Sequence, residues 1–193
     1  NSHIMLAVKS GKAINFEEEK VRAMGRTAAG VRGIRLADDN DEVVGMICIE
    51  DQESTVLVVA ENGYGKRSAV EDYRITNRGG KGVKTINITD KTGKLIALKN
   101  VTDDEDLMVI NKSGITIRIG VDTLRVMGRA TQGVKLIRLR DEDSIASVAK
   151  VSKFESDELD EEIKENVESD NLNEDLNSEI SDNSNEETSV EDK

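Results

Sequence analysis

Three arginines open equivalent segments of the chain: Arg22, Arg74 and Arg125 stand near the start of residues 21–31, 73–83 and 124–134. Arg26, Arg78 and Arg129 follow four residues later, and Arg32, Lys84 and Lys135 follow each closing Gly-Val pair. Arg35 and Arg138 recur further on, with Asn87 in the middle repeat. Each segment therefore presents R-x-x-x-R-x-x-x-G-V-[RK]. A row of cations at constant spacing suits the phosphates of duplex DNA, which position a protein without base reading. Such a row could bend a duplex, at a cost on the order of several kcal/mol that the phosphate contacts offset. Glycines beside the cations let backbone N–H groups approach an anion, and Gly79-Gly80-Lys81-Gly82 is the strongest example. Three plainer explanations compete. The arginines could simply be solvated. Arg26, Arg78 and Arg129 could form ion pairs between neighbouring repeats. The repeats could also form a protein-interaction surface on which the basic residues are incidental.

Other chemistries find few residues. His3 is the only histidine and Cys48 the only cysteine, which excludes His-dependent triads, multi-His metal sites and an internal disulfide framework. Ser10-Gly11-Lys12 and Thr92-Gly93-Lys94 lack the G-x-x-x-x-G-K-[ST] context of a P-loop. Asp103-Asp104-Glu105-Asp106 could attract Mg²⁺, but it lacks the rest of a Ca²⁺ loop and reads better as a solvated turn. Tyr64 and Tyr73 suit packing or a phosphate hydrogen bond better than nucleophilic catalysis. No catalytic residue, metal or cofactor is expected in this chain. No apolar run approaches the ~20 residues of a membrane span and no signal peptide is visible, so the setting expected is soluble, reducing and cytoplasmic, without a membrane partner.

The elements that must carry the register follow from the repeat itself. The closing glycines Gly30, Gly82 and Gly133 lie 52 and 51 residues apart, and Gly11, Gly63 and Gly114 keep the same spacings. Short, β-branched runs separated by turn signals recur at this period. Some alternate, as in residues 134–139. Others are continuously apolar, such as Thr55-Val-Leu-Val-Val-Ala60, and are expected to be buried on both faces. About four short strands per ~50 residues indicate a propeller blade or a related β array. The fold expected is all-β, propeller-like, with about three four-stranded blades of ~51 residues. Residues 1–4 read as a cloning remnant outside the fold, and residues 5–151 as the domain. Its units are placed roughly at 5–20 (partial), 21–72, 73–123 and 124–151 (partial).

Charge divides the chain at the same place. The net charge of -12 combines a body of +2 with a C-terminal segment, residues 152–193, of -14. That segment is expected to be mostly disordered. Leu159, Ile163 and Val167, and then Leu172, Leu176 and Ile180, recur every four residues and could form stripes of transient helix. The tail would either solubilise the chain or compete with DNA for the cations.

Beyond the register, Gly63-Tyr-Gly-Lys-Arg67, Val70-Glu-Asp-Tyr-Arg74, Asn77-Arg-Gly-Gly-Lys-Gly-Val83, Gly128-Arg-Ala-Thr-Gln-Gly-Val134 and Leu136-Ile-Arg-Leu139 occur in order. Together they resemble the late blades of the C-terminal domain of DNA gyrase A, over residues 5–151. The resemblance implies a β-pinwheel, a propeller variant whose blades exchange strands, and a role in wrapping DNA. It adds Lys66 and Arg67 to the DNA-contacting set. The partners it implies are double-stranded DNA, the rest of gyrase A, and gyrase B, in an A2B2 assembly at the bacterial nucleoid. ATP and Mg²⁺ would serve elsewhere in that ATP-dependent type II topoisomerase. The family's hallmark box is Gln-Arg-Arg-Gly-Gly-Lys-Gly, and the copy here, residues 77–82, lacks the leading Gln-Arg. The related C-terminal domain of topoisomerase IV, which has no such box, is the nearest alternative.

Overall fold

The computed structural model describes residues 2–50, 53–140 and 143–153. Expectations for the acidic tail lie almost wholly outside these residues. Residues 1–151 form one compact unit. Eleven strands occur among the described residues, in chain order β1 (His3–Val8), β2 (Lys12–Glu17), β3 (Val43–Ile49), β4 (Thr55–Ala60), β5 (Tyr64–Ala69), β6 (Val83–Lys84), β7 (Leu95–Val101), β8 (Glu105–Asn111), β9 (Thr116–Gly120), β10 (Val134–Lys135) and β11 (Ile145–Ser152). They build three sheets, ordered β3-β1-β2-β6, β10-β5-β4-β7 and β11-β8-β9.

Each unit begins with a hairpin. Gly11, Gly63 and Gly114 sit in its turn at φ 81°, 83° and 87°, a conformation that costs other residues and suits glycine. After the hairpin comes a three-residue 3₁₀ turn (Glu18–Lys20, Val70–Asp72 or Val121–Thr123) and then a long, nearly strandless arm. The arm ends where the third strand of the sheet begins, paired antiparallel to the first. In the second unit, for example, Thr55 faces Val101 and Val59 faces Ala97. The hairpin turn is clamped to the end of its own arm by a side chain. Asp41 accepts from Ser10 N–H (2.9 Å) and Ser10 Oγ (2.8 Å), Asn62 donates to Asp90 O (3.1 Å), and Asp143 accepts from Ser113 Oγ (2.8 Å). Burial would push the Asp41 carboxyl up, but the hydrogen bonds from Ala37, Ser10 and Glu42 hold it below the usual carboxylate range.

The fourth strand of a sheet is borrowed. Val83–Lys84, from the second arm, pairs with Ala13 and Lys12 of β2, and Val134–Lys135, from the third arm, pairs with Gly65 and Tyr64 of β5. Consecutive units therefore exchange a strand, as the resemblance implies. Gly82 and Gly133, at φ 70° and 82°, make the exchange possible: a Cβ would lie 2.5 Å from Ala13 O in one case and 2.5 Å from Gly65 O in the other.

β4 shows how the core is shared. Val56, Val58 and Ala60 pack with Met5, Ile47 and other residues of the first unit, whereas Leu57 and Val59 pack with Leu107, Val109 and Val121 of the third. All five are fully buried, so both faces of the strand are covered and its unbroken apolar run is explained.

Two expectations are corrected. The segment 1–4 is expected outside the fold, but its residues His3 and Ile4 open β1, opposite Glu17 and Phe16 on one side and Ile49 and Cys48 on the other. The unit frame also shifts. A periodic chain can be cut at any phase, but the sheets close only from the hairpin to the third strand. The units therefore begin at β1, β4 and β8, and three sets of hairpin, arm and third strand are present, rather than two whole units between partial ones.

Candidate nucleic-acid interface

The register lies on the arms, and backbone bonds fix the arms to the preceding unit. Thr76 N–H donates to Asn15 O (2.8 Å) and Met127 N–H to Arg67 O (2.8 Å), while Thr85 and Leu136 N–H donate to Gly11 O (2.9 Å) and Gly63 O (2.8 Å). Successive arms are also tied to each other. Arg35 N–H donates to Gly80 O (2.8 Å), Gly79 N–H to Gly33 O (2.5 Å) and Asn87 N–H to Thr131 O (3.1 Å). The sequence repeat is thus a repeat of anchored backbone, and equivalent side chains leave it from equivalent anchors.

Three classes of predicted cation emerge. Arg22, Arg26, Arg32, Arg35, Arg74, Lys81, Lys84, Arg125, Lys135 and Arg138 are exposed. Of these, Lys84 donates to Asn87 Oδ1 (3.2 Å) and Lys135 approaches the Tyr64 ring, whereas Arg74, Lys81 and Arg125 enter no ion pair among the described residues. Gly79, Gly80 and Gly82 are half-buried, and a cleft of about 230 Å³ is lined by Gly80, Lys81 and Gly82 with Arg74, Asn77 and Asn15.

Arg78 and Arg129 form the second class. Arg78 donates from Nε to Lys20 O (2.8 Å) and from Nη1 to Arg32 O (3.1 Å), and Arg129 donates from Nη1 to Lys84 O (2.8 Å). Each half-buried guanidinium bridges to the preceding unit by capping a backbone carbonyl. The alternative of ion pairs between blades is replaced, for Arg78 and Arg129, by carbonyl bonds. Such a charge-assisted bond leaves the guanidinium its positive charge, so these residues can join the units and still add to the field of the arms.

Lys66 and Arg67 are corrections. They are only 1% and 7% exposed, and neither is placed to meet a phosphate. Lys66 Nζ donates to Gly128 O (2.6 Å) and to Ser68 Oγ (3.3 Å), and burial pulls its pKa down to about 8. Arg67 donates to Leu124 O and pairs with Asp103. β5 lies between β4 and the borrowed β10, with the third arm closed over it, so cations on this strand become internal fasteners. The acidic turn is likewise engaged: Asp103 with Arg67, Glu105 with Lys150 (2.6 Å) and Asp106 with Arg118 (2.5 Å).

Sequence reasoning missed a second group of cations. Lys91, Lys112 and Arg140 line a cleft of about 610 Å³ with Lys135 and Tyr64. Lys91 and Arg140 do not recur at the 51–52-residue period, and Lys112 is matched by Lys9 in the first unit but by Glu61 in the second, so the repeat does not mark them as a set. Among the described residues no helix is long and apolar enough to cross a membrane.

Comparison with known proteins agrees with this architecture. The family model of the DNA gyrase C-terminal domain, a β-propeller, matches residues 2–50, 54–102 and 105–152, the same three units the sheets define. The DNA gyrase A subunit of Staphylococcus aureus (strain NCTC 8325 / PS 47) is 42% identical over 160 residues, 82% of this chain and 18% of the relative. The DNA gyrase A subunit of Chlamydia pneumoniae is 43% identical over 155 residues, 80% of this chain and 18% of that protein. The chain thus spans under a fifth of the length of these relatives. A solved DNA gyrase A C-terminal domain superposes with a TM-score of 0.70 at 26% identity, covering 78% of this chain and 50% of that one. The C-terminal domain of DNA topoisomerase IV gives 0.73 at 21% identity, over 78% of this chain and 47% of that one, a likeness of fold. With three consecutive units matched and the strand exchange between them on view, the chain belongs to the DNA gyrase A C-terminal domain family.

Proposed function

We propose that this chain binds duplex DNA along the arms and bends it, serving as a wrapping module of a gyrase-type assembly. The observation that supports this most is the repetition of exposed cations on anchored backbone. Arg74 and Arg125 are exposed and enter no ion pair among the described residues, at equivalent places on successive arms, with Lys81 in the same arm as the first. Regular phosphate contacts of this kind give affinity that depends on salt and is indifferent to sequence. The module would work within an A2B2 assembly, with the rest of gyrase A and with gyrase B, at the bacterial nucleoid in the cytoplasm. ATP and Mg²⁺ would act elsewhere in that assembly, which would pass strands as a type II topoisomerase. No residue of this chain is assigned a catalytic role.

A salt titration tests binding. Log affinity should fall with log salt at about -0.9 per phosphate neutralised, and a slope near zero would favour a protein-interaction module. Arg74→Glu combined with Lys81→Glu should lower both affinity and slope. Arg78 is a poor choice for this test, because its loss also cuts the link to Arg32. Wrapping, as distinct from binding, is read from the linking number of nicked circles religated on the protein. An unchanged linking number at saturation would leave binding without wrapping.

A further inference from the structure

We propose that the cleft between the second and third units, lined by Lys91, Lys112, Lys135 and Arg140, is a phosphate seat for the DNA backbone, separate from the repeating register. The proposal rests on the DNA-binding reading above and adds a site to it.

Among the described residues, the charge in this cleft is unbalanced: four cationic side chains face two carboxylates, Glu61 and Asp143. Asp143 accepts from Asn111 Nδ2 (2.5 Å) and Ser113 Oγ (2.8 Å) and keeps its negative charge, which still leaves the cations in excess. None of the four cations forms an ion pair among the described residues. Lys91 and Lys135 instead converge on one ring: their Nζ atoms stand 5.7 and 5.6 Å from the centre of Tyr64. The ring attracts each ammonium without neutralising it. An anion would neutralise it, and Tyr64, nearly buried, gives both lysines a fixed platform.

The corresponding cleft between the first and second units lacks this arrangement. It measures about 330 Å³, and Lys9 and Lys94 there are met by Asp38 and Asp41. Lys9 is further paired with Glu42 at 2.6 Å. Lys12 stands where Tyr64 stands in the next unit, so no ring gathers the ammonium groups. Among the described residues, cations are matched by carboxylates in one cleft and outnumber them in the other.

The form of the cleft selects among anions. It is open and polar, without the apolar walls that hold a small cofactor. Lys135 belongs to both the register and the cleft, so a strand lying on the arms continues into it. A backbone phosphate therefore suits the site better than a free nucleotide.

The test uses the full chain with Lys91→Gln and Lys112→Gln combined, both exposed and outside the register. Titrated against a duplex of about 40 base pairs, the variant should bind with a salt slope shallower by about 0.9 for each phosphate left without its lysine. Lys91→Arg in place of Lys91→Gln should restore its share of the slope, which separates loss of charge from misfolding. In the unmodified chain, duplex DNA should protect Lys91 and Lys112 from an amine-reactive reagent, as read by mass spectrometry. An unchanged slope and unprotected lysines in a chain that binds DNA would overturn the cleft and leave the arm interface standing. Absence of salt-dependent binding by the unmodified chain would remove both. Protection by inorganic tripolyphosphate, at matched ionic strength, as complete as that by duplex would overturn the assignment to DNA in favour of a free polyphosphate.

Discussion

Between the first and second units, β2 offers Ile14 and Asn15 to the incoming arm; between the second and third, β5 offers Lys66 and Arg67 at the same two places. The backbone does the same at both boundaries, with a parallel bridge at Asn15–Ile75 and at Arg67–Val126 and a borrowed two-residue strand. The side chains divide the labour differently. At the first boundary Asn15 Nδ2 holds Tyr73 O (3.1 Å), a cleft remains, and the nearby cations Arg74 and Lys81 face solvent. At the second, two cations are taken inside to hold Gly128 O and Leu124 O. A basic residue in a repeat protein can thus serve the ligand or the joint, and its place on hairpin or arm decides which.

The largest effect should come from what the two boundaries share. Gly82→Ala or Gly133→Ala sets a Cβ against a backbone carbonyl and forces a left-handed φ, so each should cost about 3 kcal/mol or more in urea unfolding. Gly30→Ala, at φ 80° with open space around it, should cost about 1 kcal/mol, the conformational part alone. Equal costs at all three positions would show that the close approach contributes nothing.

Next comes what differs. Arg67→Ala leaves the Leu124 carbonyl and Asp103 without their guanidinium, a loss of about 2–3 kcal/mol, whereas Asn15→Ala removes a neutral bond of about 1 kcal/mol. Similar losses would mean that the two boundaries are fastened equally well.

Lys66 gives a pH test. Its folded pKa, about 8, lies below the ordinary lysine value of 10.5, so between those limits the unfolded chain holds a proton that the folded chain has lost. Stability contributed at Lys66 must therefore rise with pH in that window, by about 1.4 kcal/mol per unit at most. The stability difference between the unmodified chain and Lys66→Met should shift in favour of lysine from pH 8 towards 10.5. A difference constant over that range would place the ammonium in contact with water.

The smallest effects on folding belong to the exposed arm residues. Arg74→Ala and Arg125→Ala should each change stability by less than about 0.5 kcal/mol, yet reduce the salt slope of DNA binding by about 0.9. A larger loss of stability would move these residues from the ligand to the joint.

Much of this was legible from residue types and spacing. The doubly covered β4 announced itself as an unbroken apolar run, the hairpin turns as evenly spaced glycines, and the arms as a recurring cationic motif. The role of Lys66 and Arg67 was not legible, because charge usually signals a surface. Only the arrival of an arm from the next unit buries that strand. Arg78 and Arg129 read first as DNA contacts and only alternatively as links between units; the link they make was not legible, because its acceptors are carbonyls, which every residue carries and no motif marks. Lys91, Lys112 and Arg140 escaped because a search for recurrence keeps only cations repeated in every unit: Lys91 and Arg140 appear once, and Lys112 is matched by Lys9 but not by Glu61. The phase of the units escaped too, since periodicity fixes a spacing and leaves the starting point free.

Borrowing a strand also sets a timetable. During synthesis, β2 emerges with one edge bare, and residues 18–82 must follow before Val83–Lys84 can cover it. At about 5–20 residues per second, the nascent chain carries that bare edge for several seconds, an interval in which unpaired strands adhere to one another. β5 meets the same delay with Lys66 and Arg67 on the waiting strand. Charge on a waiting edge disfavours such adhesion, so Lys66 and Arg67 would serve the unfinished blade before they fasten the finished one.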